Sequence, residues 1–293
     1  MMERKGFIGG SDIASVMGLS RWKSPLQLWA EKTGRIQPDD LSDNEAVELG
    51  AELEDFVAKK FERKTGLKVR RASKIYISKE HDFMRCQVDR LIEGTDELLE
   101  VKTCSAWKAK EWEGEDIPQE YILQVMFQLY ITGRTVGWIA CLIGGQKFVF
   151  KKIDFDAALA RDIETKVLEF WRMVCEDTPP MAAGMDNYFI ADIHPESGEQ
   201  VQAVAEMNDS IALLQQTKDS IKELEATQDE IEAKLKQTIG DNLGINTGEY
   251  VATWKSQHGS RVDVEALRAA KLYEQFSYPT KTRVLRIRKN KEA

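Results

Sequence analysis

The pattern of apolar and polar positions divides the chain into two parts. Up to Pro180, helical stripes alternate with short strand-like runs. From Val201 a single helical rhythm takes over. In the first part, Gly9-Gly10 precedes Ser11 and Asp12, either of which can N-cap a helix striped by Ile13, Val16 and Met17. Ser24-Pro25 opens a second helix, which runs through Lys32 and stops at Gly34. The clearest helix is Ala46–Thr65, where Leu49, Leu53, Phe56, Val57 and Phe61 share one face and Gly66 ends it. Val69–Ile77 reads as a strand. Pro118 begins a helix that ends at Gly133. Trp138–Ile143 and Lys147–Ile153 read as a hairpin around Gly144-Gly145. Ala157–Glu176 is a helix with Leu159, Ile163, Val167, Phe170 and Trp171 on one side, closed by Thr178-Pro179-Pro180. Helices interleaved with strands in this order predict an α/β core with a mixed central sheet flanked by helices.

Beyond Pro180 the character changes. Residues 181–200, with Gly184, Pro195 and Gly198, read as a linker. Val204, Met207, Ile211 and Leu214 are spaced 3-4-3, and Ile221, Leu224, Gln228, Ile231 and Leu235 are spaced 3-4-3-4, with a stammer near Lys218. Residues 201–240 are therefore expected to form a coiled-coil-like helical arm. Gly240, Gly244 and Gly248 break it. Residues 241–293 read as a small α/β element, with strands at Glu249–Lys255 and Arg283–Arg288, a short helix near Val264–Lys271 and a basic tail.

The stretch with chemistry in it is Met84–Ser105. Val88, Leu91 and Ile92 mark one strand, Leu98, Leu99 and Val101 the next, and Glu93-Gly94-Thr95-Asp96 the turn. Three charges interrupt this hairpin: Asp89 on the first strand, Glu100 and Lys102 on the second. Alternation puts Glu100 and Lys102 on one face and Val101 on the other, and the hairpin can bring Asp89 beside Glu100. Two adjacent carboxylates ask for a hard divalent cation, and a lysine beside them could position or deprotonate a water. A Glu-x-Lys triplet alone means little, because the chain holds five; only the one at Glu100 lies in an apolar strand preceded by an acid-bearing strand and a tight turn. Glu54 borders the apolar face of its helix, and as a functional group it would be a third acid in the site. Tyr121, Gln124 and Gln128 form a polar stripe at i, i+3 and i+7 on an otherwise apolar helix, as a surface face or as contacts to phosphate or metal-bound water.

Composition adds limits. The 293 residues are 42% hydrophobic and 31% charged, with a net charge of −8. An acidic chain is not a broad non-specific DNA coat, although a nuclease with a basic groove remains open. Cys86, Cys104, Cys141 and Cys175 form no metal-binding spacing and read as free thiols in a reducing compartment. His81, His194 and His258 show no ligand spacing either. The N-terminus has no apolar leader and the run Val136–Gly145 is too short to span a bilayer, so a cytoplasmic protein without a membrane segment is expected.

Taken together, IGGSDIASVMG, LGAELE, QVDRL with LLEVKT, and YILQVMFQLYITG occur in one order between Arg4 and Pro180. In that combination the chain resembles the YqaJ-type viral recombinases, relatives of the lambda-type alkaline exonuclease within the PD-(D/E)xK nucleases. The resemblance implies a restriction-endonuclease-like domain over residues 1–180. It implies a DNA exonuclease of phage or prophage origin in the bacterial cytoplasm, digesting one strand of linear duplex DNA from 5′ to 3′. It also implies two Mg²⁺ ions per site, replaceable by Mn²⁺, a homotrimeric ring on duplex DNA ends, and a single-strand annealing protein as partner. By the same resemblance Asp89, Glu100, Glu54 and the backbone carbonyl of Val101 would bind metal, and Lys102 would hold or activate the attacking water. Tyr121, Gln124 and Gln128 would face the site. Arg4 and Ser11 would grip a terminal 5′-phosphate. Trp22 could stack on DNA, with a core or lid role equally open. A RecB/Cas4-like nuclease or a structure-specific endonuclease of the same superfamily, or a catalytically idle DNA-binding or assembly module, stays as the alternative.

Overall fold

The computed structural model describes residues 6–194, 204–259, 261–278 and 285. Arg4, residues 195–203, and the basic residues from Lys281 to Lys291 lie outside them, as does the expected Arg283–Arg288 strand apart from Leu285. Two compact units divide the chain, Met1–Pro195 and Glu196–Ala293.

The first unit opens with a 3-10 turn at Gly10–Asp12 that leads into α1 (Ile13–Val16) and then α2 (Pro25–Lys32), where Ser24 Oγ accepts from the Gln27 amide as N-cap. Helix α3 (Glu45–Thr65) is capped by Asn44 and ended by Gly66 in the left-handed region. The stretch Val69–Ile77 is not one strand. It splits into β1 (Val69–Arg71) and β2 (Tyr76–Ile77), and β2 pairs with β3 (Arg85–Cys86) in a separate two-stranded ribbon. Next come β4 (Arg90–Ile92), β5 (Glu97–Cys104), α4 (Gln119–Thr132), β6 (Val136–Ile143), β7 (Lys147–Asp154) and α5 (Ala157–Cys175).

The main sheet is mixed, in the order β1-β4-β5-β6-β7. Only β5 and β6 are parallel, and the chain crosses between them through α4, as parallel neighbours require. Successive residues of β5 face opposite layers. Leu99 and Val101 join Val57, Ala58 and Phe61 of α3 in one apolar cluster, while Leu98 belongs to the larger core with Val125 and Leu129 of α4. The approach of α4 to the sheet is close, because a Cβ on Gly137 of β6 would lie 2.5 Å from Val125 Cγ1. The apolar face of α3 is only partly covered. Val57 and Phe61 are buried, but Leu49 and Phe56 are exposed.

Residues after Pro180 do not all behave as a linker. A 3-10 turn (Gly184–Tyr188) and α6 (Ile190–Ile193) pack on the first unit. Asp186 is fully buried, accepting from Ser24 Oγ and from the Ala183 amide, and Ile193 enters the core.

In the second unit, Asn208–Ile239 forms one continuous helix, α7, through the expected stammer. Ile211, Ile221, Leu224, Ile231 and Leu235 are exposed along it. Gly244, read as a breaker, lies instead in β8 (Gly244–Asn246), which pairs with β9 (Val251–Thr253); α8 is Val264–Ala269. Among the described residues no helix is long and apolar enough to cross a membrane.

Candidate active site

Strand β5 carries the centre of the site. Glu100 is buried and points toward α4, which supplies two amides from one face. Gln124 Nε2 donates to Glu100 Oε1 at 2.6 Å, and Gln128 Nε2 donates to Glu100 Oε2 at 2.7 Å and to the Gln87 carbonyl at 3.0 Å. Lys102, two residues along the same face, donates to Glu100 Oε1 at 2.5 Å, and its ammonium sits 5.3 Å from the Tyr121 ring centroid. The polar stripe of α4 is thus turned inward, onto Glu100 and Lys102. Its spacing could mark one face but not the side to which that face turns.

Asp89 is not within a strand. It occupies the bend just before β4, and the register Arg90↔Leu99 sets it opposite Glu100. Its Oδ2 accepts from the Val101 amide at 2.8 Å. Burial raises the Asp89 pKa first, and Glu100 raises it further, to about 7, against the opposing pull of Lys102 and the Val101 amide. For Lys102, burial disfavours the ammonium, but Glu100 and then Asp89 outweigh it and the pKa is raised. Lys102 is therefore a cation in the protein as it stands.

Glu54, on α3, is near enough to raise the Asp89 pKa further, but its carboxylate is held by Arg90 Nη1. Arg90 is buried, and its guanidinium also reaches Asp55 Oδ1 at 2.5 Å and the Asp89 carbonyl at 2.8 Å. Sequence reasoning passed over Arg90. Its signal was an arginine next to Asp89 in an apolar strand, with two consecutive acids, Glu54-Asp55, available on a helix.

Ser11 is exposed on the 3-10 turn, one residue after Gly10, which lies against Gln124. A Cβ on Gly10 would meet Gln124 Cγ at 3.4 Å. Among the described residues no hydrogen bond ties Ser11 to the acids.

The residues present fit a hard cation. Two facing carboxylates raise the pKa of one of them, and Gln128 Oε1 is buried without a hydrogen-bond partner beside Glu100. Asp89 and Glu100 would hold the ion, with the Val101 carbonyl as the adjacent backbone oxygen. Among the described residues a different set, Glu80, His81 and Glu164, also brings potential ligand atoms within 4.8 Å of one another. His81 Nε2 lies 3.5 Å from Glu164 Oε1, and Tyr130 OH donates to Glu164. A tertiary contact between the β2–β3 ribbon and α5 makes that group, so no spacing in the sequence could announce it.

Comparison with known proteins places this geometry. A model of the YqaJ-like viral recombinase domain matches residues 2–135. The protein YqaJ of Bacillus subtilis (strain 168), described as uncharacterized, is 35% identical over 285 residues, spanning 92% of this chain and 86% of its own. The chain belongs to the YqaJ-like viral recombinase family. The matched YqaJ-like region contains Glu54, Asp89, Glu100, Lys102, Gln124 and Gln128 and ends just before β6. Among solved structures, an alkaline exonuclease from Laribacter hongkongensis is similar with a TM-score of 0.52 at 23% identity, covering 60% of this chain and 91% of that one. Its complex with dAMP gives a TM-score of 0.52 at 24% identity, with the same coverage. The YqaJ-like chain therefore shares the fold of an alkaline exonuclease.

Proposed function

We propose that this YqaJ-like protein is a divalent-metal-dependent DNA exonuclease that hydrolyses one strand of linear duplex DNA, 5′ to 3′, leaving a 3′ single-stranded tail. The observation that carries the proposal is the single face of β5 on which Glu100 receives Lys102, Gln124 and Gln128 while Asp89 stands opposite. A membership in a recombinase family and a fold shared with an alkaline exonuclease support it.

The residues divide the work of phosphodiester hydrolysis. Asp89 and Glu100 supply the negative oxygens that would hold Mg²⁺, two ions per site if Glu54 leaves Arg90 to join them. The metal, when bound, acidifies water and offsets charge developing on the phosphate. Gln124 and Gln128 fix the Glu100 carboxylate so that neither oxygen swings away. Lys102 is an ammonium beside these acids. It orients a water by donating to it and stabilises the extra negative charge on the attacked phosphate as the P–O bond to the leaving oxygen breaks. Arg4 and Ser11 would receive the terminal phosphate. The reading includes a homotrimer on duplex DNA ends and a single-strand annealing protein as partner, in the bacterial cytoplasm.

The test is digestion of linear duplex DNA bearing a 5′-phosphate on one end, with Mg²⁺ and with chelator, beside covalently closed circular DNA. Loss of the phosphate-bearing strand only when Mg²⁺ is present, with the circle intact, is expected. Cutting of the circle makes the protein an endonuclease, and digestion from the 3′ end reverses the polarity.

A further inference from the structure

Two of the chain's tryptophans stand out in solvent beside the catalytic strand. Trp107 is 95% exposed and Trp22 is 76% exposed, whereas Trp29 and Trp112 are buried. Trp107 lies on the 3-10 helix Ala106–Trp112, which begins two residues after β5 ends. That helix is anchored at both ends. Ala106 packs against the β6–β7 turn, where Gly144 adopts φ +57° and where any Cβ would come within 2.9 Å of Ala106 Cβ. At the other end Trp112 stacks on Tyr121 with centroids 5.7 Å apart, and Lys151 donates to the Trp112 carbonyl at 3.1 Å. Trp107 therefore projects from a fixed base.

Trp22 comes from a different segment, the turn before α2, where Ser20 Oγ accepts from the Trp22 and Lys23 amides. Two contacts bind that turn to the 3-10 helix. Arg21 Nη1 meets Glu111 Oε1 at 2.6 Å, and Lys108 Nζ lies 5.2 Å from the Trp22 ring centroid. Lys108 follows Trp107 in the chain, so the cation beside the Trp22 ring belongs to the same anchored segment that carries Trp107. Of the acids near this rim, Glu111 pairs with Arg21 and Glu31 with Lys23, and Glu120 also faces Arg21 closely enough to favour its charged form. Glu113 and Glu115 lie at the other end of the segment, in a cleft with Lys147 and Lys151.

Exposed indoles interleaved with cations, held rigid, have one occupant that fits all three features. Bases offer π-faces to indoles, and the strand that carries them offers phosphates to the lysine. Paired bases in a duplex keep those faces covered. We propose that Trp22, Lys108 and Trp107 form a stacking lip for single-stranded DNA at the mouth of the site, where the undigested strand leaves the duplex; this rests on the exonuclease reading above. The indoles hold bases by their faces without reading sequence, and Lys108 contacts the backbone between them.

The experiment uses the full chain in chelator, so that no cutting occurs, with a labelled short oligothymidylate as probe. Intrinsic tryptophan fluorescence should be quenched by the oligonucleotide, and Trp22→Ala and Trp107→Ala should each weaken binding by about tenfold. Trp107→Phe should retain most of the affinity, because a ring still stacks. Both side chains are solvent-exposed, and unchanged circular dichroism of each variant separates lost contact from lost fold. A Trp22→Ala/Trp107→Ala double variant that binds the oligonucleotide as the wild type does overturns the lip. So does a double variant whose sedimentation changes while its DNA binding does not, since the surface then belongs to a second copy of the chain. Nuclease activity is read separately with Mg²⁺. A wild-type chain that leaves linear duplex intact yet binds oligothymidylate through these tryptophans removes the exonuclease reading and keeps the lip. A chain that digests duplex with tryptophan-independent binding does the reverse.

Discussion

The Val101 amide donates a 2.8 Å hydrogen bond to Asp89 Oδ2, so the strand that carries Glu100 also holds the acid facing it, through its own backbone. Substituting Glu100 cannot remove that bond. Asp89→Asn and Glu100→Gln are therefore expected to fold and to lose nuclease activity by at least about a thousandfold, measured as release of nucleotides from linear duplex with Mg²⁺. Retained activity in either folded variant would place the chemistry elsewhere.

Lys102 separates binding from chemistry. Its ammonium neutralises Glu100 from 2.5 Å, so Lys102→Ala removes the cation paired with that acid. The variant should bind Mg²⁺ at least as tightly by calorimetry while its turnover falls on the order of 10²–10⁴-fold. Weaker metal binding with normal turnover at saturation would contradict the role.

The metal-free protein should carry a pH signature. Asp89 has its pKa raised to about 7, above its unfolded value, so the protonated form is the one the fold favours. That contribution is complete below the ordinary carboxylate range and is lost as pH rises through about 7. In chelator, melting temperature should drop across that window, Mg²⁺ should restore it at the alkaline end, and Asp89→Asn should flatten the slope. A slope unaltered in Asp89→Asn would assign it to another group.

Gln128 is buried and its amide nitrogen serves two acceptors at once, Glu100 and the Gln87 carbonyl. Gln128→Leu strands both, and should cost about 1–3 kcal/mol in urea unfolding, in addition to any loss of activity. A neutral effect on stability would mean that water replaces the amide.

Gly137→Ala tests the same geometry from the opposite side. The new methyl would meet Val125 Cγ1 at 2.5 Å, pressing α4 away from the sheet. Overpacking of this kind costs about 1–3 kcal/mol. Activity should fall with it, since Gln124 and Gln128 move with α4. A variant with wild-type stability and turnover would show that the helix accommodates the methyl without shifting.

The hairpin, the long helices and the parity of Glu100 and Lys102 were legible because periodicity reports which side chains share a face. What periodicity cannot report is the neighbour. The stripe Tyr121, Gln124 and Gln128 was visible, but its burial depended on Glu100 giving the amides a partner. Leu49 and Phe56 fell on the right stripe of α3 and stayed exposed, while Val57, the next residue after Phe56, is buried against the sheet. Residues 69–77 carried strand propensity throughout, yet tertiary pairing split them between the edge of the main sheet and a separate ribbon. Arg90 escaped notice because a buried arginine is legible only through its acids, which lie 35 and 36 positions away in the chain.

The crossover from β5 to β6 sets an order of events during synthesis. Asp89 and Glu100 precede in the chain the helix that clamps Glu100, and α4 precedes the strand that pairs beside β5. A nascent chain that has made its acids but not α4 lacks the two amides that fix Glu100. On the proposed function, the capacity to cut DNA is then expected to arrive late, with the completed domain.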